Sequence, residues 1–245
     1  MATIQTHCDR FEGIRAVLFD KDGTLASVEG YLLDLAHARV DCVERQIPGI
    51  RASLLSALGI QKGQIDPTGL MAVGSRYENE IAVAAYVAAT GLGWGRSLAI
   101  TQQAFESARA TLPTKVTQTH LIKGVPQLLD RLKRAQVKVA VVSSDTEEEV
   151  KAFIEHNQLK GIDWSRGAAP EQLSKTHPGF LQLACAQLGV APENTLVVGD
   201  STSDVALASQ GAAGFIGVSG GWQQVVSFEP KVSTVTRLCQ LEIST

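Results

Sequence analysis

The sequence has little that would point to a disulfide framework, a thiolate metal site or a membrane segment. Its four cysteines are scattered, and no two of them form a CxxC pair. Cysteines spaced in this way indicate buried or idle thiols rather than a zinc site or a set of disulfides. No apolar run approaches the length of a membrane span, and residues 1–10 contain no apolar core of a signal peptide. We therefore expect a cytoplasmic protein that has no membrane partner.

Charge is also sparse and nearly balanced. The chain carries 22 Lys and Arg against 25 Asp and Glu, a net charge of -3, without a cluster of basic residues. Because proteins that bind a nucleic-acid backbone usually present such a cluster, no nucleic-acid partner is expected. Hydrophobic residues make up 44% of the 245 residues, enough for a sizeable globular core. This length allows one large domain, or a core domain with a smaller second one.

What the sequence does contain is a short apolar run that ends in two carboxylates. Residues 16–19 predict a strand buried on both faces, as in a parallel sheet, and Asp20 and Asp22 follow it. In an open α/β sheet, ligands bind outside the carboxyl ends of the strands, where these carboxylates would project. An Asp-Gly turn of a hairpin is an alternative. A calcium loop is excluded, because an EF-hand needs a preceding helix and a carboxylate where this chain has Tyr31.

The rest of the chain falls into a helical stretch and a stretch of alternating strands and helices. From residue 25 to about 117, apolar residues recur at helical spacing, and Ser75–Glu78 has the pattern of a capping box. From residue 121, apolar strands alternate with helices, which indicates a parallel, doubly wound sheet. The glycine-rich residues 91–95 follow a helix and lack dinucleotide-loop spacing, so we interpret them as a connection between helices.

Polar side chains also follow two later predicted strands. Ser143 ends one apolar run, Asp200 ends another, and Asp204 lies one helical turn after Asp200. Lys175 stands at a predicted helix start between those strands. Because parallel strands end at the same edge of a sheet, we expect these groups to gather near Asp20.

Taken together, these residues resemble the haloacid dehalogenase superfamily, in its branch of phosphoglycolate phosphatases and β-phosphoglucomutase-like proteins. The matching pieces are Asp20–Thr24, Ser143, Lys175 and Gly199–Asp204, and the resemblance covers about residues 13–25 and 121–218. It implies an α/β fold with a Rossmann-like doubly wound parallel sheet at 1–25 and 118–245 and an inserted α-helical cap domain at 26–117. It also implies a Mg²⁺-dependent phosphatase for a small phosphorylated metabolite, such as phosphoglycolate or a sugar phosphate.

The first motif would carry the covalent chemistry. Asp20 is suited to be the nucleophile that forms an aspartyl-phosphate. Asp22 would protonate the leaving group and then deprotonate the attacking water. Gly23 and Thr24 belong to the phosphate-binding loop, Gly23 for its sharp turn and Thr24 through a hydroxyl that can orient Asp22. We expect Lys21 to point away from Asp20 as a structural or cap-facing residue.

Four aspartates would make up the metal site. Asp20 and Asp200 offer hard oxygen ligands suited to Mg²⁺, and the resemblance adds the backbone carbonyl of Asp22. Asp204 would bind the metal through water or orient its ligands. A cation is needed here because a carboxylate and a phosphate dianion repel each other.

Phosphate binding is assigned to three further residues. Ser143 would donate a hydrogen bond to a phosphoryl oxygen beside a helix N-terminus. Ser144 is a further candidate, although its position also suits a helix cap. Lys175 would pair with the phosphate and with Asp20. Two details depart from the family pattern: Lys175 is followed by Thr-His-Pro where Pro usually follows directly, and Ser144 stands where Asn is common.

Several alternatives stay open at this point. Asp22 argues against a dehalogenase, because a halide leaving group needs no proton, but a phosphomutase or a catalytically idle binding protein remains. Arg76 is the candidate substrate contact on the cap, with an ordinary helix-surface residue as its alternative. The partner expected is a small metabolite, and the chain is expected to be a monomer or a homodimer.

Overall fold

The structure is a computed structural model that describes residues 1–168, 175–229 and 232–245. The chain divides into two compact units, one made of residues 1–27 and 119–245, the other of residues 28–118. The boundaries predicted from the sequence lie at 25/26 and 117/118. Among the described residues, no helix is both long and apolar enough to cross a membrane.

The strands and helices are short and alternate along most of the first unit. The strands in chain order are β1 (Ala2–Gln5), β2 (Arg10–Ile14), β3 (Ala16–Asp20), β4 (Ala26–Ser27), β5 (Ile60–Gln61), β6 (Gln64–Ile65), β7 (His120–Leu121), β8 (Lys138–Thr146), β9 (Trp164–Ala168), β10 (Thr195–Gly199), β11 (Gly214–Val218), β12 (Ser233–Val235) and β13 (Glu242–Ser244). The helices are α1 (Glu29–Glu44), α2 (Arg51–Ala57), α3 (Leu70–Val73), α4 (Arg76–Ala88), α5 (Trp94–Thr111), α6 (Lys115–Gln118), α7 (Val125–Arg134), α8 (Glu147–His156), α9 (Phe180–Leu188) and α10 (Thr202–Ala208).

A parallel sheet forms the centre of the first unit. In the described part of the chain it has six strands in the order β12-β11-β10-β3-β8-β9, all parallel. The predicted doubly wound parallel sheet is thereby confirmed. Strand β3 lies between β8 and β10, with Asp20 in register with Val142 and Phe19 with Val198. The carboxyl ends of these three strands therefore lie side by side.

Strand β3 is buried along its whole length, as its unbroken apolar run predicts. On one face, Leu18 packs in a core with Phe180 and Leu181 of α9. On the other face, Phe19 lies against Leu128 of α7. The nucleophile candidate at the end of β3 is thus carried by a strand that is fixed from both sides.

A small antiparallel sheet was not predicted from the sequence. Strand β1 pairs with β2 on one side and with β13 on the other. Its Ile4 and the Ile243 of β13 lie with Val17 around one apolar space, so this sheet covers part of the parallel sheet. These strands are short, and β1 finds β13 only through the fold, so no local pattern marks the pairing.

The second unit is mostly helical, as predicted. Helix α5 packs against both α1 and α4. The predicted capping box is present at α4, where Ser75 Oγ accepts from the Glu78 backbone N–H and a Glu78 carboxylate oxygen accepts from the Ser75 N–H at 2.7 Å. The glycine-rich residues after α4 connect it to α5, as expected. The helical prediction missed the small β5–β6 hairpin, which turns at Lys62 and Gly63, both with positive φ.

Candidate active site

The site begins with a buried ion pair at the end of β3. Asp20 is 7% exposed, and its carboxylate accepts a hydrogen bond from the ammonium of Lys175. Lys175 Nζ also donates to Asp204 Oδ1 at 3.0 Å. Lys175 is itself 6% exposed, so one buried cation joins two buried carboxylates. The sequence therefore brought the right residues together, although they lie 155 and 29 positions apart.

Lys175 reaches this place from a turn and not from the start of a helix. The prediction of a helix start was wrong, because α9 begins only at Phe180 with Gly179 as its N-cap. His177 precedes Pro178, a position that disfavours helical backbone, and Gly179 has a φ of 97°. Burial alone would lower the pKa of Lys175, but Asp20 and Asp204 outweigh it and raise this pKa, so the side chain stays an ammonium.

The two remaining acidic residues follow β10. Asp200 comes directly after the strand and is 4% exposed, and Asp204 lies in the first turn of α10 with no exposed surface. Asp204 Oδ2 accepts from the backbone N–H of Ser201 at 3.1 Å and from its hydroxyl at 2.6 Å. Gly199 makes room for this arrangement, since a Cβ there would overlap the Asp204 carboxylate.

Three of the aspartates form a group with the spacing of a metal site. Asp20, Asp200 and Asp204 each offer a carboxylate oxygen, and these oxygens lie within 4.8 Å of one another. Burial raises the pKa of Asp20 to about 7, and Lys175 offsets this rise only in part. Burial also raises the pKa of Asp200 well above its ordinary value, with Asp20 and Asp204 adding to it.

These raised pKa values mean that the buried carboxylates lack enough positive charge to stay ionised together. A divalent cation held by hard oxygen ligands would supply that charge. The residues present therefore fit a divalent metal ion.

Asp22 lies next to a second buried lysine. The ammonium of Lys21 pairs with the Asp22 carboxylate and with Asp145 Oδ2 at 2.8 Å, and it lies 5.3 Å from the centroid of the Phe153 ring. Lys21 is 1% exposed. Its prediction as a structural residue did not foresee that it holds the candidate acid-base residue. The ion pair joins the loop after β3 to the end of β8.

The loop after Asp22 fits tightly against Asp200. Gly23 has a φ of 79°, and a Cβ there would overlap the Asp200 carboxylate and the Trp222 indole. Only glycine is compatible with both conditions. Thr24 Oγ1 donates to Asp200 Oδ1 at 3.3 Å. The sequence predicts that this hydroxyl orients Asp22, and in the structure its partner is Asp200 instead.

The two serines after the apolar part of β8 differ from each other. Ser143 is 6% exposed, and its hydroxyl accepts from the Asp145 backbone N–H at 3.1 Å, which leaves the hydroxyl proton to donate. Ser144 is exposed and does not cap α8. Thr146 is the cap, since its hydroxyl accepts from the Glu149 N–H. Strand β8 runs further than the predicted strand, which moves the helix start beyond Ser144.

Trp222 is a residue of this site that the sequence reasoning missed. Its indole Nε1–H donates to Asp200 Oδ2 at 2.5 Å, and the side chain is 7% exposed. The only local signal was the Gly220-Gly221-Trp222 segment after a core strand. That segment approaches Gly23 so closely that a Cβ at Gly221 would overlap its backbone.

Arg76 belongs to the helical unit, and its guanidinium binds two carboxylates there. Its Nε donates to Glu80 at 2.7 Å and its Nη2 to Glu106 at 2.5 Å. These contacts tie α4 to α5. They match the alternative of a helix-surface residue, and a substrate role for Arg76 stays a prediction.

Comparison with known proteins gives the same picture. The family model for haloacid dehalogenase-like hydrolases matches residues 14–211. Phosphoglycolate phosphatase 1 of Pseudomonas aeruginosa is 28% identical over 199 residues, 79% of this chain. The match spans 65% of the length of that relative.

Solved structures share the fold. A protein from Bacteroides fragilis named as a haloacid dehalogenase-like hydrolase has a TM-score of 0.64 and 19% identity, with 93% of this chain and 99% of that one covered. A protein from Haemophilus somnus named as a predicted phosphoglycolate phosphatase has a TM-score of 0.62 and 19% identity, with 91% and 94% covered. With its acidic site inside the residues that the family model matches, the chain belongs to the haloacid dehalogenase-like hydrolase family.

Proposed function

We propose that this chain is a phosphatase that hydrolyses a small phosphorylated metabolite through an aspartyl-phosphate on Asp20. The observation that carries the proposal is the carboxylate of Asp20 at the end of β3, paired with Lys175 and close to Asp200 and Asp204. Hydrolysis of phosphate monoesters needs the largest rate enhancements known, up to about 10²¹-fold. Such a factor calls for a positioned nucleophile among groups that neutralise phosphate charge.

We further propose Mg²⁺ as the metal ion of this site. Asp20 and Asp200 would hold it, together with the backbone carbonyl of Asp22, and Asp204 would bind it through water or orient its ligands. When bound, Mg²⁺ would neutralise the phosphate charge and reduce its repulsion of the attacking carboxylate. The support for this ion is a set of buried oxygen ligands whose raised pKa values indicate missing positive charge.

The chain's own residues then divide the reaction into two displacements. In the first, an Asp20 oxygen bonds to phosphorus, the bond from phosphorus to the leaving oxygen breaks, and Asp22 gives that oxygen a proton. In the second, Asp22 takes a proton from water, whose oxygen attacks phosphorus and releases phosphate and Asp20. Lys175 would hold Asp20 in place and pair with phosphate oxygens, and the free hydroxyl proton of Ser143 would donate to another of them.

Asp22 is the reason for preferring phosphoryl chemistry to halide displacement. An alkoxide leaving group needs a proton, and a halide does not. In the structure the Asp22 carboxylate is held by Lys21, which keeps it beside Asp20 in the same loop. The name of the Pseudomonas relative supports phosphoglycolate or a similar small phosphorylated acid as the substrate class, and sugar phosphates complete the panel to be tested.

The first experiment is phosphate release from a panel of phosphorylated metabolites, with and without Mg²⁺. Wild type is compared with Asp20→Asn and with Asp130→Asn, a matched change at an exposed aspartate of α7. We expect one preferred substrate, hydrolysed only with metal by wild type and Asp130→Asn and not by Asp20→Asn. Activity that survives in Asp20→Asn would remove the nucleophile from the proposal.

The covalent intermediate is tested by mass spectrometry of the acid-quenched protein. Asp22→Asn should accumulate a phosphoryl group on Asp20, because no residue remains to activate the water. Asp145→Asn, which removes the other carboxylate on Lys21, should not accumulate it. A sugar phosphate that comes out isomerised, with no free phosphate, would instead identify a phosphomutase.

A further inference from the structure

We propose that Trp222 is a positioning residue for the metal ion, because its indole N–H fixes the orientation of the Asp200 carboxylate. The inference rests on the proposed function for the identity of the ion. It concerns a residue outside residues 14–211, the part of the chain that the family model matches. Nothing in the local sequence around Asp200 would have pointed to it.

The two oxygens of Asp200 have different partners. Oδ2 accepts from Trp222 Nε1 at 2.5 Å, and Oδ1 accepts from Thr24 Oγ1 at 3.3 Å. An indole N–H can donate but cannot accept, so it can hold only an oxygen of this kind. The short bond occupies Oδ2 and leaves Oδ1, with its longer contact, as the oxygen available to a cation.

Trp222 is itself held in place by its own loop. A Cβ at Gly221 would overlap the backbone of Gly23, and a Cβ at Gly220 would overlap the carbonyl of Thr236. The loop is therefore packed on both sides, and the indole lies in a group with Gly23 and Asp200 in which no side chain has room to turn. A donor on a rigid support keeps a carboxylate ready for a metal ion before the ion arrives.

The test compares Trp222→Phe with wild type and with Trp164→Phe. Phenylalanine keeps an aromatic ring and removes the N–H. Trp164 is a matched control in the same unit, since its ring packs against Phe180 with centroids 6.5 Å apart. Mg²⁺ affinity is measured by isothermal titration calorimetry without substrate, and thermal unfolding is measured on the metal-free proteins.

We expect Trp222→Phe to weaken Mg²⁺ binding by about 10- to 100-fold, the usual loss when a partner of a metal ligand is removed. Trp164→Phe should bind Mg²⁺ as wild type does. If wild type binds Mg²⁺ and Trp222→Phe binds it equally well, the inference is overturned and the proposed function is untouched. If wild type does not bind Mg²⁺ at all, both are overturned.

A second variant removes the dependence on how well phenylalanine fills the space. Benzothienylalanine replaces the indole N–H by sulfur with almost the same shape, and it can be incorporated at 222 alone in a Trp94→Phe, Trp164→Phe background. The same loss of Mg²⁺ affinity, with metal-free unfolding unchanged from that background, supports the hydrogen bond as the cause. Unchanged affinity overturns it. Weakened binding in a protein whose wild type releases no phosphate supports the inference and contradicts the proposed reaction alone.

Discussion

Single buried charges decide the chemistry of this protein and much of its stability. Lys175 lies between Asp20 and Asp204, and all three side chains are nearly inaccessible to solvent. A buried charge that loses its partner keeps its full desolvation cost, so such groups are needed in combination. Lys21 stands in the same relation to Asp22 and Asp145.

Replacing Lys175 by Met should therefore lower the free energy of unfolding of the metal-free protein by about 3 to 5 kcal/mol, the range for a broken buried pair. The reason is that Asp20 and Asp204 would be left buried without their shared cation. Urea unfolding measures the change. Lys138→Met is the matched control, because its pair with Asp163 is half exposed and should be worth about 1 kcal/mol or less. Equal losses in the two variants would contradict this account of Lys175.

Among the elements, the loop after β11 matters more than its length suggests. Gly221 packs against the backbone of Gly23, and Trp222 reaches Asp200 from the same loop. The last strand of the core that the sequence identified is thus connected to the first motif of the chain. A change in this loop should affect the site without touching any carboxylate.

Gly221→Ala tests that connection. Its methyl group would overlap the Gly23 backbone, and overpacking of this kind costs about 1 to 3 kcal/mol of unfolding free energy. We also expect weaker Mg²⁺ binding, since Gly23 and Asp200 would have to shift. Gly30→Ala in α1 is the control, because nothing lies within 4 Å of the place that its methyl group would take, and alanine there should stabilise the helix by about 0.5 to 1 kcal/mol. A Gly221→Ala protein as stable as wild type would contradict the tight packing.

The elements also explain how far the sequence could be interpreted. The strand at 16–20 and the capping box at Ser75 are local patterns, and both were predicted correctly. The gathering of Asp20, Lys175, Asp200 and Asp204 followed from a general rule on where parallel strands end. Trp222 and the pairing of β1 with β13 depend on contacts between distant segments, which no window of sequence contains.

At the scale of the whole molecule, the metal ion should act as a stabilising ligand. A ligand that binds only the folded state at a hundred times its dissociation constant adds about 2.7 kcal/mol to the free energy of unfolding. Wild type in Mg²⁺ should therefore unfold at a higher temperature than wild type in EDTA, as measured by calorimetry. Asp200→Asn should lose most of this difference and Asp130→Asn should keep it. A shift of equal size in Asp200→Asn would place the ion elsewhere.

The position of β3 in the sheet has a consequence for synthesis on the ribosome. Its partners are β8 and β10, so Ala16 must wait for Lys138 before it can pair. At about 5 to 20 residues per second, that delay amounts to roughly 6 to 25 s. Throughout this interval, Val17, Leu18 and Phe19 stay unpaired in the nascent chain, while residues 28–118 can already collapse into their own unit. The strand that carries the nucleophile is thus the segment most in need of a chaperone while translation continues.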